Sequence, residues 1–330
     1  MRIATRRPIV ASPPFGALLV CAILAVACVT IGTLVAPWPG GNGTSAHDRS
    51  SLSMADAFGL GGFSTLAATD MHDAPSPARA DAIVTYYGSP RTPSMGILGQ
   101  HAPDDSADLL AARASRFEAA SGGDPVLAAI HLVYAVAQPQ AKSDGLYLQY
   151  VDDRTVRQYI ELARRRGFVL ILDLQIGHSD ALAEVQKIAK YLAEPDVFVA
   201  LDPEFALGGN LKPGDAIGSI DASDINAVQW YLAALSQRSQ VPTKMLIVHQ
   251  FQAEMITNPT AIERHDDVDL VIDMDGYGPA DIKEAKYARY GAAAYAAFGG
   301  IKVFLQHDPD PLSEAALLRI TPRPALFVYQ

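Results

Sequence analysis

Eight short apolar runs, rich in β-branched residues, constrain the fold of this chain more than any other feature. They alternate with segments of helical periodicity between residues 83 and 329. Short and almost wholly apolar runs are typical of strands buried on both faces, as in a parallel sheet covered by helices. The predicted strands are 83–87, 128–136, 169–172, 197–200, 245–248, 270–272, 303–305 and 326–329.

Helix-start and helix-stop residues delimit the intervening segments. The segment 152–166 ends at Gly167, and the segment 280–298 ends at Gly299-Gly300, as expected of glycines that terminate helices. Strand–helix alternation repeated to eight strands predicts a closed (β/α)8 TIM-type barrel. The alternative is an open doubly wound sheet, which loses support because no Gly-x-Gly-x-x-Gly motif follows the first strand. The other predicted helices are 105–119, 179–192, 223–235, 253–264 and 313–320.

The first part of the chain has the character of a targeting segment. Three arginines lie within the first seven residues and precede an uncharged apolar stretch at 15–36. At about 1.5 Å per residue this stretch is just long enough to cross a bilayer core. We interpret residues 1–38 as a signal anchor or a cleaved signal peptide, with lipidation at Cys28 as a third alternative. Each alternative places the following residues outside the cytoplasm, either membrane-anchored or secreted.

A segment rich in Gly, Ser, Ala and Pro, 39–80, is interpreted as a flexible linker, and residues 81–330 as the barrel domain. Both cysteines, Cys21 and Cys28, precede the linker, so the domain sequence contains no disulfide and no thiolate metal ligand. The formal net charge of −10 disfavours binding to nucleic acid, whose backbone is also negative.

Polar residues follow the predicted strands where each strand ends, which is where β/α barrels carry their active sites. Side chains alternate along a strand, so the face that buries Val169 and Ile171 should also present Asp173 and Gln175. The same alternation on the other strands predicts that one basin receives Asp202, Glu204, His249, Asp273, Asp275 and His307.

Further side chains near this rim are suited to sugars. The amide of Gln250, next to His249, could bind hydroxyl groups, and Tyr87, Phe251 and Tyr277 could stack on sugar faces. The Gly-rich stretch 208–219 is interpreted either as a substrate-covering loop or as a plain surface excursion.

Two resemblances to known families are visible in these motifs. Asp202-Pro203-Glu204 resembles the Asp-x-Glu that ends the fourth strand in glycoside hydrolase families 18 and 25, where the Glu is the general acid. The rest of the family 18 signature, an upstream run of spaced Asp residues, is missing. The segment 165–310 resembles uncharacterised secreted or lipid-anchored bacterial barrel proteins. The residues that carry this resemblance are Asp202-Pro203-Glu204-Phe205, Ile217-Gly218-Ser219, Asn226, Lys244, His249-Gln250-Phe251 and Asp275-Gly276-Tyr277-Gly278. It implies an extracytoplasmic barrel but no particular activity.

The residues themselves favour a glycoside hydrolase acting on a cell-wall or extracellular polysaccharide. Glu204 is the expected general acid, with a pKa raised by Asp202 and the neighbouring acids. Asp273 or Asp275 is the expected partner carboxylate, and Asp173 has a positioning role. Gln175, His249, Gln250 and His307 are expected to bind substrate.

Two other functions remain open from the sequence. One is a non-catalytic glycan-binding protein of the cell surface on a barrel scaffold. The other is a metal-dependent hydrolase, for which His249, His307 and Asp173 could assemble a site from separate strands. The leading interpretation requires no metal and no cofactor.

Overall fold

A computed structural model describes residues 74–79, 82–90 and 92–330. Eight parallel strands form a closed ring, because the first strand pairs with both the second and the eighth. The predicted barrel is therefore confirmed, and the open-sheet alternative is wrong. The barrel strands are β1 (Ile83–Ser89), β2 (Leu127–Ala137), β3 (Val169–Gln175), β4 (Val197–Asp202), β5 (Lys244–His249), β6 (Val268–Met274), β7 (Phe298–Val303) and β8 (Leu326–Tyr329).

Helices cover the outside of the ring. The capping residues that the sequence suggested are in place around the second long helix: the Asp152 side chain accepts from the Thr155 backbone N–H, and Gly167 ends the helix at φ 69°. The longer helices are α1 (Pro103–Ser121), α2 (Asp153–Arg166), α3 (Ala181–Lys187), α4 (Ala222–Ser239) and α5 (Ala280–Arg289).

Shorter elements occupy the connections. The short helices are Ile97–Gln100, Ala189–Leu192 and Glu314–Leu317, and the 3-10 turns are Pro77–Arg79, Pro203–Phe205, Ala253–Met255 and Pro259–Ala261. Thr92–Gly96 pairs antiparallel with β1, and Leu148–Tyr150 pairs antiparallel with β2. Ile220–Asp221 and Ile256–Thr257 form a separate parallel pair, which ties the connection after β4 to the connection after β5.

The interpreted membrane segment, 1–38, lies outside the described residues. Among the residues that the structure does describe, no helix has the length and apolar character needed to cross a membrane. The last part of the interpreted linker, residues 74–79, packs against the barrel. Ser76 Oγ donates to Asp269 Oδ2 over 2.6 Å, and the Arg79 guanidinium donates to both oxygens of the same carboxylate over 2.9 Å. These contacts hold the segment at the start of β6.

The seventh strand was wrongly predicted at 303–305, and the preceding helix was wrongly extended to residue 298. The strand is Phe298–Val303, and α5 already ends at Arg289. The Gly299-Gly300 pair that resembles a helix stop lies within the strand. A Cβ at Gly300 would lie 2.8 Å from Asp273 Oδ1, so glycine is required there for close packing against β6. This shift changes which residues of the segment face the barrel interior.

The barrel interior contains its own small apolar core, separate from the larger core between strands and helices. Its members include Ile83, Ala129, Ile171, Phe198 and Met245, all of which are buried. They occupy alternate positions along the strands, as expected for the inward face of a barrel. The same alternation, continued toward the carboxyl ends of the strands, leads directly to the polar residues of the candidate site.

Candidate active site

The carboxyl-terminal half of the barrel interior is polar and charged. Period two places Asp173 two residues after Ile171, and His249 two residues after Ile247, on the inward face. Burial of this many ionisable groups is costly unless they satisfy one another by hydrogen bonds and opposite charge. The buried interior set comprises Tyr87, His131, Asp173, Gln175, Asp202, His249, Asp273, Asp275 and Lys302.

His249 lies at the centre of this set, with a carboxylate at each ring nitrogen. Its Nε2 is 2.8 Å from Asp173 Oδ2, and its Nδ1 is 3.0 Å from Asp273 Oδ2 and 3.3 Å from Asp275 Oδ2. Burial opposes the charged form, but the surrounding carboxylates outweigh it and raise the pKa of His249 well above its usual value. The imidazole is therefore protonated and donates from both nitrogens.

His131, on β2, is a second histidine of the site, and it was missed in the sequence. Its Nε2 lies 3.0 Å from Asp173 Oδ2, and its ring stacks on that of His249 with centroids 5.6 Å apart. Burial lowers the pKa of His131, so this imidazole is neutral and donates its one N–H to Asp173. Burial alone would raise the pKa of Asp173, but the two imidazoles hold it below the ordinary value. The signal for His131 was its position, two residues from the inward Ala129 and Val133.

Lys302, on β7, is the second residue that was missed, as a direct result of the wrong limits of that strand. Its Nζ donates to Asp275 Oδ2 over 3.0 Å and lies 3.6 Å from the centroid of the Tyr87 ring. Burial disfavours the ammonium, but Asp275 and the other interior acids raise the pKa of Lys302, so it stays charged. The Tyr87 ring therefore provides a cation–π contact inside the barrel, and its edge also meets His131 at 5.0 Å between centroids.

Asp202 ends β4 and is held from two sides. Gln175 Nε2 donates to its Oδ2 over 3.4 Å, and the backbone N–H of Glu204 donates to its Oδ1 over 3.0 Å. Gln175 is itself oriented, since its Oε1 accepts from the backbone N–H of Ala137 over 2.7 Å. Burial raises the pKa of Asp202 to about 7, and the nearby Asp173 and Asp275 add to this effect.

Glu204 lies in the 3-10 turn Pro203–Phe205 directly after β4, and it is half-buried. Its carbonyl accepts from the backbone N–H of Gly218 over 2.6 Å, which ties the turn to the Gly-rich stretch 208–219. Burial raises the pKa of Glu204 to about 8, with Asp202 and then Asp275 as the next largest causes. The carboxyl group is therefore mostly protonated at neutral pH, as a general acid must be.

An ion pair with Lys244 is the structural alternative to an acid role for Glu204. Lys244 begins β5 at the opposite end of the barrel, where its Nζ donates to the carbonyls of Glu194 and Val197 over 2.8 and 3.1 Å. The two side chains are separated by the length of the strands. Glu204 therefore does not serve as the partner of Lys244.

Four predicted binding residues lie outside the interior set. His307 is exposed in the turn after β7, so its predicted inward orientation is wrong; it followed from the mistaken limits of that strand. Gln250 faces away from the barrel axis, since its Oε1 accepts from Tyr295 Oη over 2.8 Å. Phe251 is buried, and its backbone N–H lies 3.3 Å from Met255 Sδ. Tyr277 lies with its ring centroid 6.3 Å from that of His307, so these two rings remain neighbours at the rim.

A cavity of about 320 Å³ lies next to the Glu204 turn, between the connections that follow β3 and β4. Backbone and small side chains make up much of its wall, including Gly177, Ser179, Ala206, Gly208 and Ser219. The stretch 208–219 thus borders a cavity whose wall includes Ala206, the residue that follows the Glu204 turn. Its substrate-covering role stays a prediction.

Two groups of side chains have the composition and closeness of metal ligands among the described residues. One is His131, Asp173 and His249, and the other is His249, Asp273 and Asp275. The predicted trio of His249, His307 and Asp173 is wrong: His249 and Asp173 are in contact, but His307 is exposed beyond β7. His131 occupies the place that was assigned to His307.

No protein-family model and no curated protein matches this chain. Solved structures similar to it include Thermotoga maritima Cel5A in complex with cellobiose, a mutant form, at 10% identity over 78% of this chain and 91% of that chain, with a TM-score of 0.40. A GH18 chitinase from Pseudoalteromonas aurantia matches at 10% identity over 76% of this chain and 94% of that one, with a TM-score of 0.36. A GH5 xyloglucan-specific endo-β-1,4-glucanase from a metagenomic library matches at 10% identity over 86% of this chain and 90% of that chain, with a TM-score of 0.39. At such identities and TM-scores the likeness says nothing about activity, which must be argued from the side chains of this chain.

Proposed function

We propose that this protein is a glycoside hydrolase that cleaves a cell-wall or extracellular polysaccharide by carboxylate acid–base catalysis. The observation that carries the proposal is Glu204, half-buried at the carboxyl end of β4, whose pKa is raised to about 8 by burial and by Asp202 and Asp275. A protonated carboxyl group beside an ionised one is the arrangement that glycosidic cleavage requires.

Asp275 is the better partner carboxylate of the two candidates on β6. It has 9% of its surface exposed, whereas Asp273 is fully buried and hydrogen-bonded to His249. The ammonium of Lys302 donates to Asp275 Oδ2 over 3.0 Å and holds this side chain in place. Glu204 would protonate the departing glycosidic oxygen while Asp275 acts on the anomeric carbon directly or through a water molecule. Within the described part of the chain, the side-chain hydrogen-bond partners of Asp173 are the two imidazoles, which suits the positioning role proposed for it.

The surroundings of Glu204 and the N-terminal sequence support the proposed substrate class. A polymer needs binding space on both sides of the cleaved bond, and the cavity of about 320 Å³ next to the Glu204 turn offers it on one side. The rings of Tyr277 and His307 offer a stacking surface near the end of β7. The basic and then apolar start of the chain supports an extracytoplasmic location, where a wall or secreted polysaccharide is the accessible polymer.

The test is release of reducing ends by the full chain from a panel of β-linked polysaccharides, including cellulose derivatives, xyloglucan, chitin and peptidoglycan. Release that persists in the presence of a chelator supports the proposal. Release that a chelator abolishes and Zn²⁺ restores, without a change in melting temperature on chelation, would indicate the metal-dependent alternative instead. Saturable binding of a polysaccharide without any cleavage over days would overturn the proposal in favour of a non-catalytic glycan-binding protein.

A further inference from the structure

His131, Asp173 and His249 lie on three different strands, yet their polar atoms meet at one point in the barrel interior. Asp173 Oδ2 is 3.0 Å from His131 Nε2 and 2.8 Å from His249 Nε2. All three ligand atoms lie within 4.8 Å of one another. Ligand atoms bound to one first-row metal ion at about 2.0–2.2 Å each are separated by similar distances.

Hydrogen bonding within the trio leaves buried polar atoms without partners. Asp173 Oδ2 faces both imidazoles, whereas Asp173 Oδ1 and His131 Nδ1 have no partner among the described residues. All three side chains have no exposed surface. A buried polar atom that lacks a partner is costly, and it is a sign that another group can bind there.

His249 also has the outer partner that metal-bound histidines usually have. Its Nε2 faces the trio while its Nδ1 lies 3.0 Å from Asp273 Oδ2. A carboxylate at the second nitrogen fixes the tautomer and the ring orientation of a histidine that ligates through the first nitrogen.

The balance of charge favours a cation at this position. With both imidazoles neutral, a divalent ion and Lys302 would together offset the three carboxylates Asp173, Asp273 and Asp275. The other group of possible ligands, around His249 Nδ1, is less suitable because the ammonium of Lys302 already lies 3.0 Å from Asp275. An ion at the trio replaces the ring proton of His249, and Lys302 keeps its pairing with Asp275.

We propose that His131, Asp173 and His249 form a binding site for one divalent transition-metal ion, of which Zn²⁺ is the most suitable probe. Two imidazoles and one carboxylate suit Zn²⁺ and its first-row neighbours, whereas Ca²⁺ and Mg²⁺ prefer oxygen ligands throughout. Glu204 is not one of the three ligands, and the occupancy of the site can be measured without any substrate.

The experiment is calorimetric titration of the chelator-treated full chain with ZnCl₂. One ion per chain is expected. His131→Gln should weaken binding more than about 100-fold, since loss of a ligand exceeds the 10–100-fold effect of an outer partner, and Asp273→Asn should weaken it about 10–100-fold. His307→Gln, which changes an exposed histidine, is the matched control and should bind like the parent.

Two results would overturn the site. One is the absence of saturable binding by the folded parent chain. The other is equal Zn²⁺ affinity in folded His131→Gln and in the parent. Should His131→Gln fail to fold, X-ray absorption of the Zn²⁺-loaded parent decides the matter: two imidazole ligands support the site, and none or one excludes it.

Discussion

Lys302 Nζ lies 3.0 Å from Asp275 Oδ2, so a buried ion pair joins β7 to the end of β6 inside the barrel. Only 3% of the lysine side chain and 8% of the aspartate side chain are exposed. A buried pair of this kind adds little net stability, but the loss of one partner leaves the other charge without compensation. The pair therefore fixes Asp275 in place, and the ammonium of Lys302 offsets part of the negative charge of the interior acids.

Lys302→Met should lower the free energy of unfolding by about 3–5 kcal/mol, because it removes the direct ion-pair partner of Asp275 and leaves it only the more distant imidazole of His249, at 3.3 Å. The double variant Lys302→Met/Asp275→Asn should recover part of that loss, since neither charge remains. Urea denaturation of the parent and both variants measures the difference, and Lys142→Met on the exposed surface is the control. Equal stability of the parent and Lys302→Met would show that the pair is not formed.

The pH dependence of stability should reveal the two raised carboxyl groups. The pKa of Glu204 is about 8 and that of Asp202 about 7 in the folded protein, whereas unfolded carboxyl groups titrate near 4. Between these values the unfolded chain binds fewer protons than the folded one, so the free energy of unfolding falls as the pH rises. This contribution is complete below about pH 4 and is lost through pH 7 to 8.

The melting temperature between pH 5 and 8.5 measures this effect. Glu204→Gln removes one of the two raised carboxyl groups. The melting temperature of this variant should therefore fall less with rising pH than that of the parent. Glu254→Gln, which changes an exposed glutamate of the connection after β5, should keep the slope of the parent. Identical slopes for the parent and Glu204→Gln would contradict the raised pKa of Glu204.

Arg79 should contribute to stability although it lies in the interpreted linker. Its guanidinium donates to both oxygens of Asp269, whose side chain is 4% exposed. Arg79→Ala should lower the free energy of unfolding by about 1 kcal/mol, less than the about 1.5–3 kcal/mol of a buried hydrogen bond to a charged group, because 51% of the Arg79 side chain is exposed to water. Among the described residues, Asp269 then keeps Ser76 as its one side-chain donor. Thermal unfolding of the full chain and of the Arg79→Ala variant measures this loss of stability. No change in melting temperature would show that residues 74–79 are dispensable.

The barrel could be predicted from sequence because each buried strand is a short apolar run with a period-two continuation into polar residues. The same logic, applied to Val169 and Ile171, located Asp173 and Gln175 on the inward face. Local sequence signals that fit two structures do not determine the fold at their position. Gly299-Gly300 resembles a helix stop, but here it allows β7 to pack closely on Asp273.

That single misreading concealed Lys302 and misplaced His307. His131 escaped prediction for a different reason: it lies in the middle of an 11-residue strand, away from the strand end where a barrel carries its active site. The contact of His131 with Asp173 joins residues 42 positions apart, and no local pattern in the sequence encodes such a pairing. The long-range hydrogen bonds of the site therefore become visible only in the structure.

Turnover should fall with rising pH once a polysaccharide substrate is found. A general acid works only when protonated, and kcat/KM reports the ionisation of the free enzyme. With the pKa of Glu204 at about 8, kcat/KM should decrease about tenfold per pH unit above that value. Initial rates from pH 5 to 10 measure the profile, and a decrease that already begins near pH 5 would assign the acid role to an ordinary carboxyl group.

The turnover of Glu204→Gln tests the central claim most directly. Glutamine preserves the size and much of the hydrogen bonding of glutamate but cannot donate a carboxyl proton. On a substrate that the parent cleaves, the variant should keep its fold and its affinity for the glycan and lose about 10²–10⁴-fold in kcat, while Glu254→Gln matches the parent. Full turnover by a well-folded Glu204→Gln protein would contradict the account and remove Glu204 from the mechanism.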